Sequence, residues 1–322
     1  MAAWLGRSGS GIEPFVLIGD PDAAAARAQS CGLTVPLVPV AKLAEAPQLF
    51  DRYLPMLPVM LRADARAGVP DAANAAATIA AIEMAVDAVL RGQATAVVTN
   101  PIAKSVLYHA GFAHPGHTEF LAALAERYLP GRRFHPVMML ASDVLRVVPL
   151  TVHIPLSDVP SRLSADLIMR TARAMAHALT VDFGLPRARI AVAGLNPHAG
   201  EQGTIGREDQ DVINPAIAAL KAEGLAVSGP HSADTLFHAA ARTGYDAVLA
   251  MYHDQALIPI KTLAFEDAVN VTLGLPFVRT SPDHGTAFDI AGRGLASPAS
   301  LIAALRMAAD MAARRADGTQ PA

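Results

Sequence analysis

The sequence has one cysteine, Cys31, among 322 residues. A disulfide framework within the chain is therefore excluded, and a reducing compartment fits best. A basic excess is missing as well: 26 lysines and arginines stand against 29 aspartates and glutamates, a net charge of -3. Nucleic acid as the main partner is excluded on that ground, because its phosphates meet no surplus of positive charge. No uninterrupted apolar run reaches membrane-spanning length. The opening stretch, Met1–Gly11, has no basic segment followed by an apolar core, so no secretory signal is read there. The expectation is a soluble cytoplasmic protein without a membrane partner. Cofactor fingerprints are poor too. Gly9-Ser10-Gly11 precedes a strand-like run instead of following one, and Gly292-Arg293-Gly294 lacks the rest of a dinucleotide motif. No Walker A, GxSxG or HExxH pattern occurs, and no repeat or low-complexity linker interrupts the chain.

What is present is a folded chain, with 52% hydrophobic and 17% charged residues and enough length for two domains or lobes. Strand-like runs at Phe15–Gly19, Val35–Val40, Ala94–Thr99, Pro136–Leu140, Arg146–His153, Arg189–Gly194, Tyr245–Met251 and Val269–Leu273 alternate with helical patterns. The helices are expected at Ala23–Gln29, Asp71–Leu90, Ile102–His109, Thr118–Leu129, Ala165–Leu179, Asp211–Glu223 and Ser297–Arg314. Ala44–Pro70, with several prolines and no clear period, reads as irregular, and Arg315–Ala322 as a frayed tail. The alternation implies an α/β fold with a mostly parallel, doubly wound sheet.

Three histidines share one setting. His153, His198 and His253 each follow an apolar strand-like run within a few residues. In a parallel sheet such ends share an edge, which is where open α/β sheets bind ligands. Converging there, three neutral imidazoles would make a divalent metal site with positions left for substrate, suited to zinc or a similar metal. The other reading is three separate loop histidines, each bonded to backbone. A basic set follows: Lys261, Asn270 and Arg279 lie close in sequence. Together they read as an anion pocket, with arginine as a bidentate fork and lysine as a point charge. Alternatively the two cations are solvated at the surface, although the segments LIPIK and LPFVRT around them are very apolar. Finally, Gly116-His117-Thr118-Glu119 is a turn feeding a helix. Its donors suit an anion, or Thr118 simply caps. Cys31 has no cation close in sequence and reads as a structural thiol.

Longer motifs carry a resemblance. TNPIAK (Thr99–Lys104), GHTEFL (Gly116–Leu121), LNPHAGE (Leu195–Glu201), ADTLF (Ala233–Phe237), AMYHDQ (Ala250–Gln255) and VNVTLGLPFVRTSPDHGT (Val269–Thr286) stand in order along the chain. In these the sequence resembles the 4-hydroxythreonine-4-phosphate dehydrogenases of pyridoxal 5′-phosphate biosynthesis, the PdxA family, from Phe15 nearly to its end. The resemblance implies two α/β/α domains around a central cleft, the fold of isocitrate and isopropylmalate dehydrogenases and not a Rossmann fold. Residues 1–104 and 270–322 would form one domain and 105–269 the other. It implies metal ligands at His153, His198 and His253, and substrate contacts at His117, Thr118, Lys261, Asn270 and Arg279. Lys104 and Asp234 are proton-relay candidates. NAD or NADP is implied, with a divalent metal (zinc, magnesium or cobalt), and a homodimer whose active site lies at the subunit interface.

The reaction so implied oxidises 4-phosphohydroxy-L-threonine to 2-amino-3-oxo-4-phosphooxybutanoate, which decarboxylates to 3-amino-2-oxopropyl phosphate. Two alternatives stand beside it: a related dehydrogenase of a four-carbon sugar-acid phosphate (4-phospho-erythronate or threonate 4-phosphate), and a non-catalytic binder of a phosphorylated ligand. The family opens with a strand and a Gly-Asp-Pro-Ala-Gly-Ile-Gly-Pro-like loop. Here Met1–Trp4 reads as the helix after that loop, which would leave a sheet edge open.

Overall fold

Apolar runs settle as strands where neighbours take up their backbone groups. The computed structural model describes residues 1–109, 111–114 and 116–318. Its strands are β1 (Leu17–Gly19), β2 (Leu37–Pro39), β3 (Leu54–Pro58), β4 (Ala96–Val98), β5 (Val137–Ala141), β6 (Arg146–Pro149), β7 (Ile190–Ala193), β8 (Val227–His231), β9 (Ala247–Ala250), β10 (Val269–Leu273) and β11 (Val278–Pro282). The longer helices are α1 (Pro21–Ser30), α2 (Ala75–Leu90), α3 (Lys104–His109), α4 (His117–Tyr128), α5 (Ala165–Val181), α6 (Asn214–Ala222), α7 (His253–Leu263) and α8 (Ala299–Ala316). They divide between two units, Met1–Pro136 with Leu275–Ala309, and Val137–Gly274 with Asp310–Ala322. These boundaries differ from the expected domains. Phe120, Leu121 and Leu124 of α4 pack on Ile82 and Val86 of α2, which draws the segment around α4 into the first unit.

In that first unit β1, β3 and β2 form a parallel sheet in that order, and β4 pairs in parallel with β11. Asp20 starts α1: one carboxylate oxygen accepts from the Ala23 amide at 2.9 Å, and Pro21 occupies the first turn. Strand β3 corrects the reading of Ala44–Pro70 as irregular. Its Leu54 and Met56 are wholly buried, and that burial outweighs the weak strand preference of Pro55 and Pro58. Among the described residues one helical stretch, Ala72–Leu90, is long and apolar enough to cross a membrane. No such run was expected. Here its Ile82 and Val86 pack with Val97 and Phe277.

The second unit is a sheet in the order β10-β5-β6-β9-β7-β8. Its β6, β9, β7 and β8 run parallel, as the alternation implies. The exception is β5, antiparallel to β10 and to β6, because the turn from β5 to β6 is too short for a crossover. The expected strand Arg146–His153 stops at Pro149. Helix α7 was not expected, since Pro259 lies inside it. Its Ala256 and Ile260 are buried against Val147 and Val248, and this packing carries the helix through the proline. Nor was β8, whose Gly229 and Pro230 suit the edge position it takes. At the other end, α8 continues through Ala316, so the expected frayed tail begins later, and residues 319–322 lie outside those described.

Candidate active site

In the second unit β6, β9 and β7 are parallel neighbours, so their carboxyl ends share one edge. His153 comes after β6, His253 opens α7 after β9, and His198 comes after β7. The rings of His153 and His253 stand 5.8 Å apart, centre to centre. Two imidazoles sharing one ion at about 2.1 Å would stand roughly 5–6 Å apart, so this pair fits as two ligands. His253 Nδ1 lies 2.7 Å from Asp254 Oδ1. A carboxylate accepts, so this bond puts the proton on Nδ1 and leaves the Nε2 lone pair for a metal.

His198 sits differently. It is exposed and begins a run, His198–Gln202, whose φ values lie between 41° and 76°. His153 has φ 53°. Left-handed backbone is costly for residues with a Cβ and persists only where its surroundings impose it. Asp209, 1% exposed, fixes the chain just before the His198 run. It accepts from the Leu195 amide at 2.8 Å, the Asn196 amide at 3.1 Å and Asn196 Nδ2 at 3.0 Å. A Cβ on Gly194 would stand 2.7 Å from Asp209 Oδ1, so only glycine fits there. Among the described residues no three histidine, cysteine or acidic side chains gather into a metal site within one chain. His198 thus does not join the other pair.

Asp234 is exposed in a turn after β8. The Ser232 hydroxyl, donating to it at 2.5 Å, is the main cause that holds its carboxyl below the usual range, and the nearby His198 adds to this. Lys261 lies in the last turn of α7 with Nζ 5.4 Å from the centre of the Phe265 ring. Asn270 is half-buried on β10, in register with Leu140.

The first unit holds the other candidates. Arg279 on β11 is buried, and its guanidinium donates to Thr99 Oγ1 from two nitrogens, at 2.6 and 3.2 Å. Burial lowers its pKa to about 10, so it keeps its charge at neutral pH. His117 opens α4. Gly116 is the N-cap and no side chain caps the helix, so Thr118 is not the capping residue. His117 Nε2 is buried without a hydrogen-bond partner. Burial first, then the charges of Arg279 and Lys104, push the ring's pKa down to about 3. An uncapped helix start, two cations and an imidazole nitrogen with an unmet bond suit a phosphate. Arg279 therefore shares its surroundings with His117 and Lys104. Lys261 and Asn270, grouped with it on sequence proximity, belong to the other unit. Sequence reading missed Thr99 and Asp209 as supporting residues. Thr99 meets its partner 180 residues away, a pairing that no local signal announces.

The sequence pattern described as "Pyridoxal phosphate biosynthetic protein PdxA" matches residues 11–308. The chain belongs to the PdxA family. A 4-hydroxythreonine-4-phosphate dehydrogenase of Methylorubrum populi is 57% identical, covering 100% of this chain and 92% of its own length. The crystal structure of a 4-hydroxythreonine-4-phosphate dehydrogenase from Klebsiella pneumoniae superposes with TM-score 0.82 at 36% identity, over 92% of this chain and 90% of that one. A terephthalate 1,2-cis-dihydrodiol dehydrogenase from Burkholderia xenovorans has TM-score 0.60 at 29% identity, over 92% and 98% of the two chains. As a PdxA protein the chain is an enzyme, an oxidoreductase, with the α/β architecture of those structures.

Proposed function

We propose that this chain oxidises 4-phosphohydroxy-L-threonine with NAD or NADP, as a cytoplasmic homodimer in pyridoxal 5′-phosphate biosynthesis. The observation that carries the reading is the grouping of Arg279 and Lys104 about His117 at the start of α4, in a chain of the PdxA family. His117, Thr118, Lys261, Asn270 and Arg279 bind the substrate, with Arg279 as a charged fork on its phosphate. Holding the phosphate away from the reacting carbon uses remote binding energy to position the secondary alcohol. His153 and His253 of one protomer fit a divalent metal (zinc, magnesium or cobalt), and the partner subunit's His198 completes the set. A metal held there would supply Lewis-acid chemistry at the substrate hydroxyl, with NAD(P) as the hydride acceptor. Lys104 and Asp234 are the candidates for moving the hydroxyl proton. The product, 2-amino-3-oxo-4-phosphooxybutanoate, is a β-keto acid whose ketone accepts the charge left by decarboxylation to 3-amino-2-oxopropyl phosphate.

A dimer also accounts for apolar side chains left at the surface of the second unit: Leu156 is 67% exposed, Ile258 63% and Phe265 74%. The test is reduction of NAD and NADP with 4-phosphohydroxythreonine and with 4-phosphoerythronate, each with and without chelator. Chelator-sensitive reduction with the first substrate supports the proposal. Reduction with phosphoerythronate alone reassigns the substrate to the sugar-acid phosphates, and no reduction with either overturns the reading.

A further inference from the structure

A buried chain of side-chain hydrogen bonds ties together the three strand ends that carry the histidines. The ladder hydrogen bonds of β6, β9 and β7 run out close to Pro149, Ala250 and Ala193. Beyond them, Thr151, on the way from β6 to His153, donates its hydroxyl to the Met251 carbonyl at 2.8 Å. Met251 stands between β9 and His253, and its amide donates to Gln255 Oε1 at 2.6 Å. The Gln255 amide nitrogen then donates to the Gly194 carbonyl at 2.7 Å, where the chain leaves β7 towards His198. The order is thus Thr151, Met251, Gln255, Gly194, one link for each gap between neighbouring strand ends.

Both side chains are buried, Thr151 at 6% exposure and Gln255 at 8%. Burying polar groups adds little net stability over an apolar replacement of the same shape. Their value lies in direction. A carboxamide accepts at one end and donates at the other, so one Gln255 side chain answers an amide on β9's end and a carbonyl on β7's end. The β-branch of Thr151 restricts its hydroxyl. His153 and His198 lie in left-handed backbone at φ 53° and 52°, a conformation kept only where the surroundings over-determine it.

We infer that Gln255 and Thr151 are positioning residues for metal binding: Thr151 sets the spacing of the His153 and His253 strand ends, and Gln255 holds the His253 strand end against the exit of β7, from which His198 is presented to the partner's site. This rests on the three-histidine reading proposed above. Neither residue touches metal or substrate in this role. Both act on backbone beside the histidines, one step further out than the groups bonded directly to ligating side chains, whose removal changes metal affinity by about 10–100-fold.

The test uses cobalt(II) as the probe, titrated into metal-free full-length protein and followed by its visible absorption. Gln255→Met keeps the volume and removes both hydrogen bonds. Thr151→Val removes only the hydroxyl and provides a second variant should the first fail to fold. All titrations are run well below the melting temperature of each variant, with circular dichroism confirming the fold. The expected result is cobalt affinity lowered by about 10-fold, the low end of that range, in Gln255→Met and less in Thr151→Val, each with an altered cobalt spectrum. A merely structural role would lower the melting temperature and leave affinity and spectrum of the folded protein unchanged, which overturns the inference. His253→Ala separates the two levels: if it binds cobalt like the wild type, the three-histidine reading itself falls. If it loses cobalt while both positioning variants keep wild-type affinity, only the positioning role falls.

Discussion

The imidazole of His153 stands 5.8 Å from that of His253, centre to centre, although the two residues follow different strands. That spacing suits two ligands of one ion, and the Asp254 carboxylate orients the His253 ring with Nε2 outward. His253→Ala should therefore leave the dialysed protein with background metal content by elemental analysis. His153→Ala should do the same. Full metal content in either variant would remove that histidine from the ligand set.

Arg279 reaches Thr99 Oγ1 with two guanidinium nitrogens, so its fork is held in place before any ligand arrives. A charge-assisted bond to phosphate is worth about 1.5–3 kcal/mol, which is roughly 10- to 150-fold in affinity. Arg279→Ala should raise KM for the phosphorylated substrate by that order. Arg279→Lys should recover only part of the loss, because an ammonium cannot reproduce the fork. Steady-state kinetics with an unchanged KM would place the phosphate elsewhere.

His117 is expected to make the apo protein acid-sensitive. Its folded pKa is lowered to about 3, against an ordinary value near 6.5. A depressed pKa means that the unfolded chain binds a proton the folded chain refuses. The contribution to stability is present above pH ~6.5 and is lost as pH falls from there towards about 3, at up to ~1.4 kcal/mol per pH unit. His117→Gln does not titrate and should flatten this part of the profile. Urea denaturation at pH 6.5 and pH 5 measures it: the wild type should lose about 2 kcal/mol more than the variant. Parallel losses in the two proteins would mean that the ring takes up its proton in the folded state.

The sequence made part of this site legible for a physical reason. A buried strand that turns polar at once, as Ala247–Ala250 does before His253, announces both its end and a delivered side chain. Three such endings named the histidines, and the order β6-β9-β7 puts them on one edge. Other features were hidden because tertiary burial overrode local signals. Pro55 and Pro58 masked β3, whose Leu54 and Met56 are wholly buried. Pro259 masked α7, which its contacts with β6 and β9 sustain. Strand direction does not show in composition, so β5 running against both neighbours could not be read. Arg279 was grouped with Lys261 because they are close in sequence, yet β11 pairs with β4, and its partner Thr99 comes from the end of β4. The left-handed run at His198–Gln202 contains one glycine, so the remaining residues gave no warning of it.

The last turn of α8, expected to fray, is instead fixed by a buried acid. Asp182, at the end of α5, is 2% exposed, and Arg315 donates to its two carboxylate oxygens at 2.5 and 3.1 Å. Removing one partner of such a pair leaves a charge buried without its counter-ion, which costs about 3–5 kcal/mol, far more than an exposed ion pair is worth. Arg315→Ala should lower the unfolding free energy by that amount in urea denaturation. The double variant Arg315→Leu with Asp182→Leu should be less damaged than Arg315→Ala, because it removes the stranded charge along with its partner. If Arg315→Ala costs under about 1 kcal/mol, the pair behaves as a surface contact, and the tail of α8 is held by its apolar face, in which Ala308, Met311 and Ala312 are buried.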